Sequence, residues 1–281
     1  MKKVLFNHAI KSIFFLNILL VILIVGFIFI KGYKIISLKF LFTMPYNSMT
    51  EGGIFPALVG TFLLTSLSII FALPPGVITA IYLNEYVKNK HLINIIKISI
   101  NTLAGVPSVV FGLFGFSVFV KFFGFGVSLL SGAFTLSILI LPIFISATIE
   151  ALSAVPYSLR EASMALGATK LYTIRHTVLP AAFSSIMTAI ILSTGRAAGE
   201  TAPILFTAAV FFQKNLPDSL FSPVMALPYH IYALMTEGTH PEKQVAIAYG
   251  SALVLIITVL FLISLAVFLR EKRRRYVNFK H

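Results

Sequence analysis

An arginine and a glutamate lie four residues apart inside an apolar stretch of this chain. Arg196 and Glu200 share one helix face at that spacing and can form an ion pair. A charge in lipid costs about 2.5–3.5 kcal/mol even on the lenient insertion scale, so both side chains must face protein or water. Two interpretations are open. In the first, the pair locks this helix against a neighbour, with Gly195 and Gly199 allowing close approach. Alternatively, the arginine offers a forked donor to an oxyanion, and the glutamate holds the guanidinium and limits its attraction.

The rest of the sequence offers little for covalent catalysis or metal binding. It has no cysteine, which excludes disulfides and thiol chemistry. It also lacks a GxxxxGK[ST] phosphate-binding loop, so it cannot hydrolyse ATP by that route. The six histidines are scattered and show no metal-ligand spacing such as HExxH. The sequence therefore predicts no catalytic residue, no metal site, no cofactor and no enzymatic activity of its own.

The elements that must position the charged pair are long apolar helices. Mean hydropathy is +0.97, with 58% hydrophobic and only 11% charged residues, whereas about a quarter of residues are charged in soluble domains. Apolar runs of about 20 residues are long enough for a helix to cross a bilayer. They predict an all-α membrane protein with six transmembrane helices, at about 12–30, 58–83, 101–120, 127–149, 181–212 and 246–269.

Charge placement predicts the orientation of these spans. With the N-terminus inside, the inner segments carry 15 of the 22 lysines and arginines and the outer segments carry six. The positive-inside rule then puts both termini in the cytoplasm. The first span has no small-residue cleavage pattern after it, so it is interpreted as a retained anchor. The basic tail 271–281 is expected to lie near anionic headgroups, and the net charge of +13 does not indicate a nucleic-acid partner.

The inner loop at 150–180 has a pattern of two short helices. Ser158 and Glu161 match a capping box at a helix start, and Gly167 is the residue expected where a helix ends in a left-handed turn. Pro180 fits the first turn of the next span. A shallow apolar face is formed at helical spacing by Leu159, Ala162, Ala165 and Leu166. This face predicts docking of another protein; the alternative is a helix lying on the membrane.

The same loop resembles the EAA loop of ABC-importer permeases. The matching residues are Glu161, Ala162, Gly167, Leu179 and Pro180. The chain departs from the motif at Ser163, where alanine is usual, and at Thr177, where isoleucine is usual. The resemblance implies a type I importer bundle in which this loop is the coupling helix that fits a groove on a cytoplasmic ATPase.

A second segment narrows the resemblance. The run RAAGETAP, from Arg196 to Pro203, resembles a segment of phosphate-importer permeases of the PstA type. Segments 52–61, 72–86 and 103–115 are similar to ones shared by PstA and PstC subunits. Together these resemblances cover most of the chain beyond residue 50.

The resemblance implies a permease subunit of an ATP-driven phosphate importer in the cell membrane. Its expected partners are a PstC-like permease subunit, an ATPase dimer, an external phosphate-binding protein and the lipid bilayer. Residues 1–56 are expected to form an anchor helix and first external loop, and 57–270 the permease core. The docking residues are Ser158, Glu161, Ala162, Ala165, Gly167 and Pro180, and the substrate-pathway residues are Arg196, Glu200 and Thr201. The alternatives are a permease for molybdate or sulfate, and an ion-coupled secondary carrier.

Overall fold

The protein is helical throughout the part that the structure describes. The computed structural model describes residues 2–47, 49–213 and 215–278, and every regular element in these ranges is a helix. The helices are α1 (Lys2–Gly32), α2 (Leu38–Phe42), α3 (Phe55–Ile81), α4 (Lys90–Ala104), α5 (Ser108–Gly115), α6 (Leu129–Ser153), α7 (Tyr157–Ala165), α8 (Lys170–Thr173), α9 (Leu179–Gly199), α10 (Ala202–Thr207), α11 (Leu227–Thr236) and α12 (Pro241–Asn278). Three π-helical turns, Tyr82–Tyr86, Phe116–Phe122 and Ile174–Val178, extend α3 and α5 and join α8 to α9.

Among the described residues, five helices are long and apolar enough to cross a membrane, or six if a pair of helices bent at 93° is counted as one span. This confirms the all-α membrane fold. The predicted continuous third span is wrong, because α4 and the segment Ser108–Phe122 meet at 93°. The break falls at Gly105, Val106 and Pro107, where proline disfavours helical backbone in the residue before it.

The predicted bounds of the fifth span are also wrong. A continuous helix runs from Lys170 to Gly199, so it starts before 181 and ends before 212. The chain leaves helical geometry at Glu200, with φ −75° and ψ 131°, and re-forms a helix only for the short α10. The second short helix expected in the inner loop is therefore the beginning of this span.

The helices α3 and α6 form the centre of the bundle. They approach closely at Gly76, where an added Cβ would lie 2.4 Å from the Phe144 ring. Near α7, buried side chains of α3, α6 and α9 form a shared apolar core: Ala80, Leu83, Ile145, Ile149, Leu152, Val178, Ala182 and Ile186. This core fixes the three helix ends that surround α7.

The first helix, α1, lies at the edge of the bundle. The apolar part of α1 has none of its residues buried, and α1 packs on α12 where Gly32 meets the Tyr249 carbonyl. α12 continues as a helix to Asn278, through most of the predicted basic tail. Residues 279–281 of that tail lie outside the described residues.

Candidate functional site

The short helix α7 begins after a sharp turn from α6. Pro156, with φ −56° and ψ 136°, is the residue before the first helical residue, Tyr157, and no side chain caps this helix start. The predicted capping box is therefore wrong. Ser158 already lies inside the first turn, because proline takes the extended position that a capping serine needs.

Gly167 adopts the left-handed backbone that the sequence predicts. Its φ is +84°, and a Cβ added there would meet no atom within 4 Å. The turn brings α7 back against α8, where the Ser163 and Thr173 hydroxyls lie 2.9 Å apart. The Thr169 hydroxyl caps α8 by accepting from the Tyr172 amide at 3.3 Å.

Most of α7 and its turn face outward. Ser158, Glu161, Ala162, Ala165 and Gly167 are all exposed, as is Pro180 in the first turn of α9. Large apolar side chains are exposed among them: Tyr157, Leu159, Met164, Leu166, Leu171 and Tyr172. We call these six side chains and the predicted docking residues the α7 surface. Leu166 is 90% exposed, so within this chain the predicted apolar face covers nothing.

The observed start of α7 adds an aromatic residue to the exposed surface that the sequence predicts. Because the helix begins at Tyr157, it carries an exposed aromatic side chain in its first turn. Aromatic residues with a polar tip are enriched where proteins meet partners or membrane interfaces. The α7 surface is thus larger and more apolar than the sequence alone suggests.

Sequence reasoning missed an ion pair behind α7. Arg160 and Glu85 approach to 2.7 Å, with side chains only 10% and 8% exposed. They border a pocket of about 730 Å³ that also includes Lys88 and Lys170. A glutamate at the end of a span and an arginine in a short helix are visible in the sequence, but their pairing across 75 residues is not.

The second candidate site lies where α9 ends. Arg196 is in the last turn of α9, Glu200 is the first residue beyond it, and Thr201 precedes α10. Arg196 Nε lies 3.4 Å from Glu200 Oε1, with side chains 35% and 17% exposed. The Nε atom is buried and lacks a well-directed hydrogen bond, so the pairing is loose. The structure brings together all three predicted pathway residues.

Close packing at the neighbouring glycines is not seen within this chain. A Cβ added at Gly199 would meet nothing within 4 Å, and one at Gly195 would touch only Ile263, at an ordinary 3.5 Å. The interpretation of the pair as a lock between two close helices therefore lacks support here. The guanidinium of Arg196 is partly exposed, and its N–H groups are not all used in the contact with Glu200.

One continuous helix joins the two sites. The segment Lys170–Gly199 has 30 residues, which is about 45 Å at 1.5 Å per residue. The α7 surface lies at its beginning and the Arg196–Glu200 pair at its end. Within the described ranges, no three acidic or histidine side chains group in a way that could hold a metal ion.

Comparisons with known proteins agree with this architecture. Residues 72–275 match the family described as binding-protein-dependent transport system inner membrane component. The chain is 33% identical over 246 residues to the probable ABC transporter permease protein YqgI of Bacillus subtilis, covering 84% of this chain and 83% of the relative. It is 39% identical over 228 residues to the phosphate transport system permease protein PstA 1 of Mycobacterium tuberculosis, covering 80% and 72%.

Solved structures show the same fold at low sequence identity. The inward-facing MetNI methionine ABC transporter matches with a TM-score of 0.59 and 18% identity, covering 79% of this chain and 94% of that one. A bacterial ABC transporter involved in alginate import matches with a TM-score of 0.59 and 16% identity, covering 94% and 97%. With the family match and these relatives, the chain belongs to the inner-membrane permease components of binding-protein-dependent ABC importers, multi-pass subunits that leave ATP hydrolysis to a separate ATPase.

Proposed function

We propose that this permease subunit imports inorganic phosphate. The observation that carries the proposal is the loosely paired Arg196 at the end of α9, inside the RAAGETAP segment. Relatives of similar sequence, among them the PstA 1 protein of Mycobacterium tuberculosis, are named phosphate transport system permease proteins. We further propose a PstC-like subunit as its permease partner and an external phosphate-binding protein as the donor.

The chemistry of Arg196 suits a transported oxyanion. A guanidinium presents five N–H donors in a planar fork that matches a tetrahedral oxyanion. Its closest approach to Glu200 is through Nε, at 3.4 Å. We propose that the two terminal nitrogens donate to a passing anion. Glu200 offsets part of the positive charge, which keeps binding weak enough for release. Thr201 adds a hydroxyl beside the pair.

The α7 surface is proposed as the docking site for a cytoplasmic ATPase. Its apolar side chains are exposed, Leu166 at 90%, and the sequence there matches the EAA loop at Glu161, Ala162 and Gly167. With this docking we propose that both termini and α7 lie in the cytoplasm, which the distribution of basic residues favours. In this mechanism, ATP-driven closure of the ATPase dimer moves α7, and the bundle changes between inward- and outward-open forms.

Uptake by the assembled importer tests the substrate proposal. The subunit is reconstituted in vesicles with its partner permease, ATPase and binding protein, and labelled phosphate uptake is measured. We expect Arg196→Gln to reduce uptake about 10- to 100-fold while the complex still assembles, because a charge-assisted bidentate contact is lost. Lys11→Gln removes a positive charge from the peripheral helix α1 and is the matched control. Unchanged uptake in Arg196→Gln would reduce the pair to a structural contact.

Competition separates phosphate from the other oxyanions. An arginine fork alone binds any tetrahedral oxyanion, so molybdate and sulfate are added in excess during uptake. We expect neither to displace labelled phosphate. Strong competition by one of them would assign that anion as the substrate, and uptake without the ATPase would instead indicate an ion-coupled carrier.

A further inference from the structure

Side-chain contacts tie α7 to a helix that is distant in the chain. The backbone connects α7 to α6 on one side and to α8 on the other. Arg160, the buried residue among the nine of α7, points from the helix towards the end of α3. Its Nη2 donates to Glu85 Oε1 at 2.7 Å, and its Nε lies 3.2 and 3.3 Å from the two carboxylate oxygens. Glu85 belongs to the π-helical turn that ends α3.

Arg160 also closes the end of α6. Its Nη1 donates to the Val155 carbonyl at 2.8 Å, and its Nη2 donates to the Leu152 carbonyl at 3.0 Å. Carbonyls at a helix C-terminus lack partners within the helix, and a cation is favoured there. One guanidinium therefore holds α7, the end of α6 and the end of α3 together.

Further contacts converge on the same turn of α3. Lys170 Nζ donates to the Glu85 carbonyl and lies 4.6 Å from the centre of the Tyr86 ring. Asn84 Nδ2 donates to Glu85 Oε1 at 2.8 Å, and Ser153 Oγ donates to Asn84 Oδ1 at 2.7 Å. The end of α3 is thus bound from α6, α7 and α8. We call these five side chains, from Arg160, Glu85, Asn84, Ser153 and Lys170, the α7–α3 joint.

Burial makes this joint stiff. An exposed ion pair contributes little, because water competes with it and both side chains lose freedom. The side chains of Arg160 and Glu85 are only 10% and 8% exposed at the edge of the pocket, and several hydrogen bonds satisfy them. Separating such a pair leaves two buried charges without partners, which is strongly unfavourable. Movement of α7 away from α3 is therefore resisted more than movement of both together.

We propose that Arg160 is a positioning residue that makes α7 and the end of α3 move as one rigid body. In this arrangement α3 receives the displacement of α7 directly, and not only through the chain connections to α6 and α9. The proposal rests on the proposed docking of an ATPase to the α7 surface. α3 is suited to respond, because Pro74 and Pro75 lie inside it and a proline removes a helix hydrogen bond. The part of α3 beyond them can therefore swing with α7.

Removing the joint tests coupling separately from docking. The chain is assembled with its partner permease, ATPase and binding protein, and three quantities are measured: ATPase co-purification, ATP hydrolysis and phosphate transported per ATP. We expect Arg160→Met to retain the ATPase and its hydrolysis while transport per ATP falls about tenfold, within the range of coupling between sites. Lys170→Met, which removes one exposed tie, should cause a smaller fall. Lys88→Met removes a charge from the same pocket without a contact and is the control.

A thiol bridge distinguishes a rigid joint from a moving contact. The natural chain has no cysteine, so Glu85→Cys combined with Arg160→Cys places a unique thiol pair. We expect this variant to hydrolyse ATP with a low ratio of phosphate transported per ATP. A short bifunctional thiol reagent that bridges the two cysteines should restore that ratio. Because only a connection is restored, this recovery does not follow from a general repair of folding.

Several results would contradict the proposal that Arg160 makes α7 and the end of α3 move as one rigid body. These are unchanged transport per ATP in Arg160→Met, loss of ATPase binding in that variant, or a bridge that stops transport in an assembled complex. The last would show that α7 moves relative to α3. If the unaltered chain does not retain the ATPase, the docking proposal itself fails, which is a separate result.

Discussion

The backbone at Gly167 allows the α7 surface to be tested in graded steps. An L-residue in the left-handed conformation costs about 1–2 kcal/mol. A Cβ at this position has open space around it, so the penalty of Gly167→Ala is purely that of the backbone. At 25 °C about 1 kcal/mol changes the ratio of native to non-native turn about fivefold. Gly167→Asn should cost less, since asparagine tolerates this region, and Gly167→Val should cost more.

The order of these variants is the measurement that matters. Affinity of the purified permease pair for its ATPase is measured by titration, and we expect it to fall in the order Gly, Asn, Ala, Val at position 167. Gly26→Ala, in the helical and uncrowded α1, is the control and should leave affinity unchanged. Equal affinity for glycine and valine would refute the reasoning, because the left-handed turn would then have no part in presenting the α7 surface.

Two further predictions concern stability. Burial lowers the pKa of His230 in α11 to about 4. The unfolded state therefore binds the proton more readily than the folded state does. The free energy of unfolding should fall as the pH drops from about 6.5 towards 4, by about 3 kcal/mol in total. Thermal unfolding measured between pH 7 and 4 should show this loss of stability. The variant His230→Leu should remove the pH dependence, whereas His91→Leu, at an exposed residue, should leave it unchanged. Equal pH dependence in the unaltered protein and both variants would contradict the assignment to His230. Gly60→Ala should abolish a stable fold, because its Cβ would lie 1.9 Å from the Met225 carbonyl oxygen. Yield of monodisperse protein checks this, and normal yield would mean that the contact between α3 and the segment before α11 yields easily.

The spans and the charged pair were predictable from the sequence for simple reasons. Continuous apolar runs of bilayer length need no tertiary information, and neither does the i, i+4 relation of Arg196 and Glu200. The left-handed turn at Gly167 was predictable because glycine there follows a helical pattern. These features depend on residues close together in the chain.

The features that sequence reasoning missed depend on distant contacts. The bend between α4 and α5 is permitted by Gly105 and Pro107. The close packing of α5 against α10 depends on Gly112, where an added Cβ would lie 2.9 Å from the Ala202 carbonyl oxygen. The ion pair of Arg160 with Glu85 joins two helix ends that lie 75 residues apart in the sequence. Hydrophobic periodicity contains no information on which charged residues at the helix ends meet.

The continuous helix from Lys170 to Gly199 has a mechanical consequence for the proposed pathway. Arg196 lies about 40 Å from the start of this helix at 1.5 Å per residue. A tilt of about 10° about that start would displace the guanidinium by about 7 Å.

The joint decides which helices share that tilt. Lys170 is bound to the end of α3 while its own helix continues to Arg196. A displacement of α7 therefore reaches α3 through Arg160 and reaches α9 through the Gly167 turn and Lys170. The helices α3, α6 and α9 share the apolar core beside α7. The ends of these three helices near α7 therefore cannot separate without exposing that core to water or lipid headgroups. We therefore propose that the three ends move together and that the proposed pathway at Arg196 opens and closes with their common rotation.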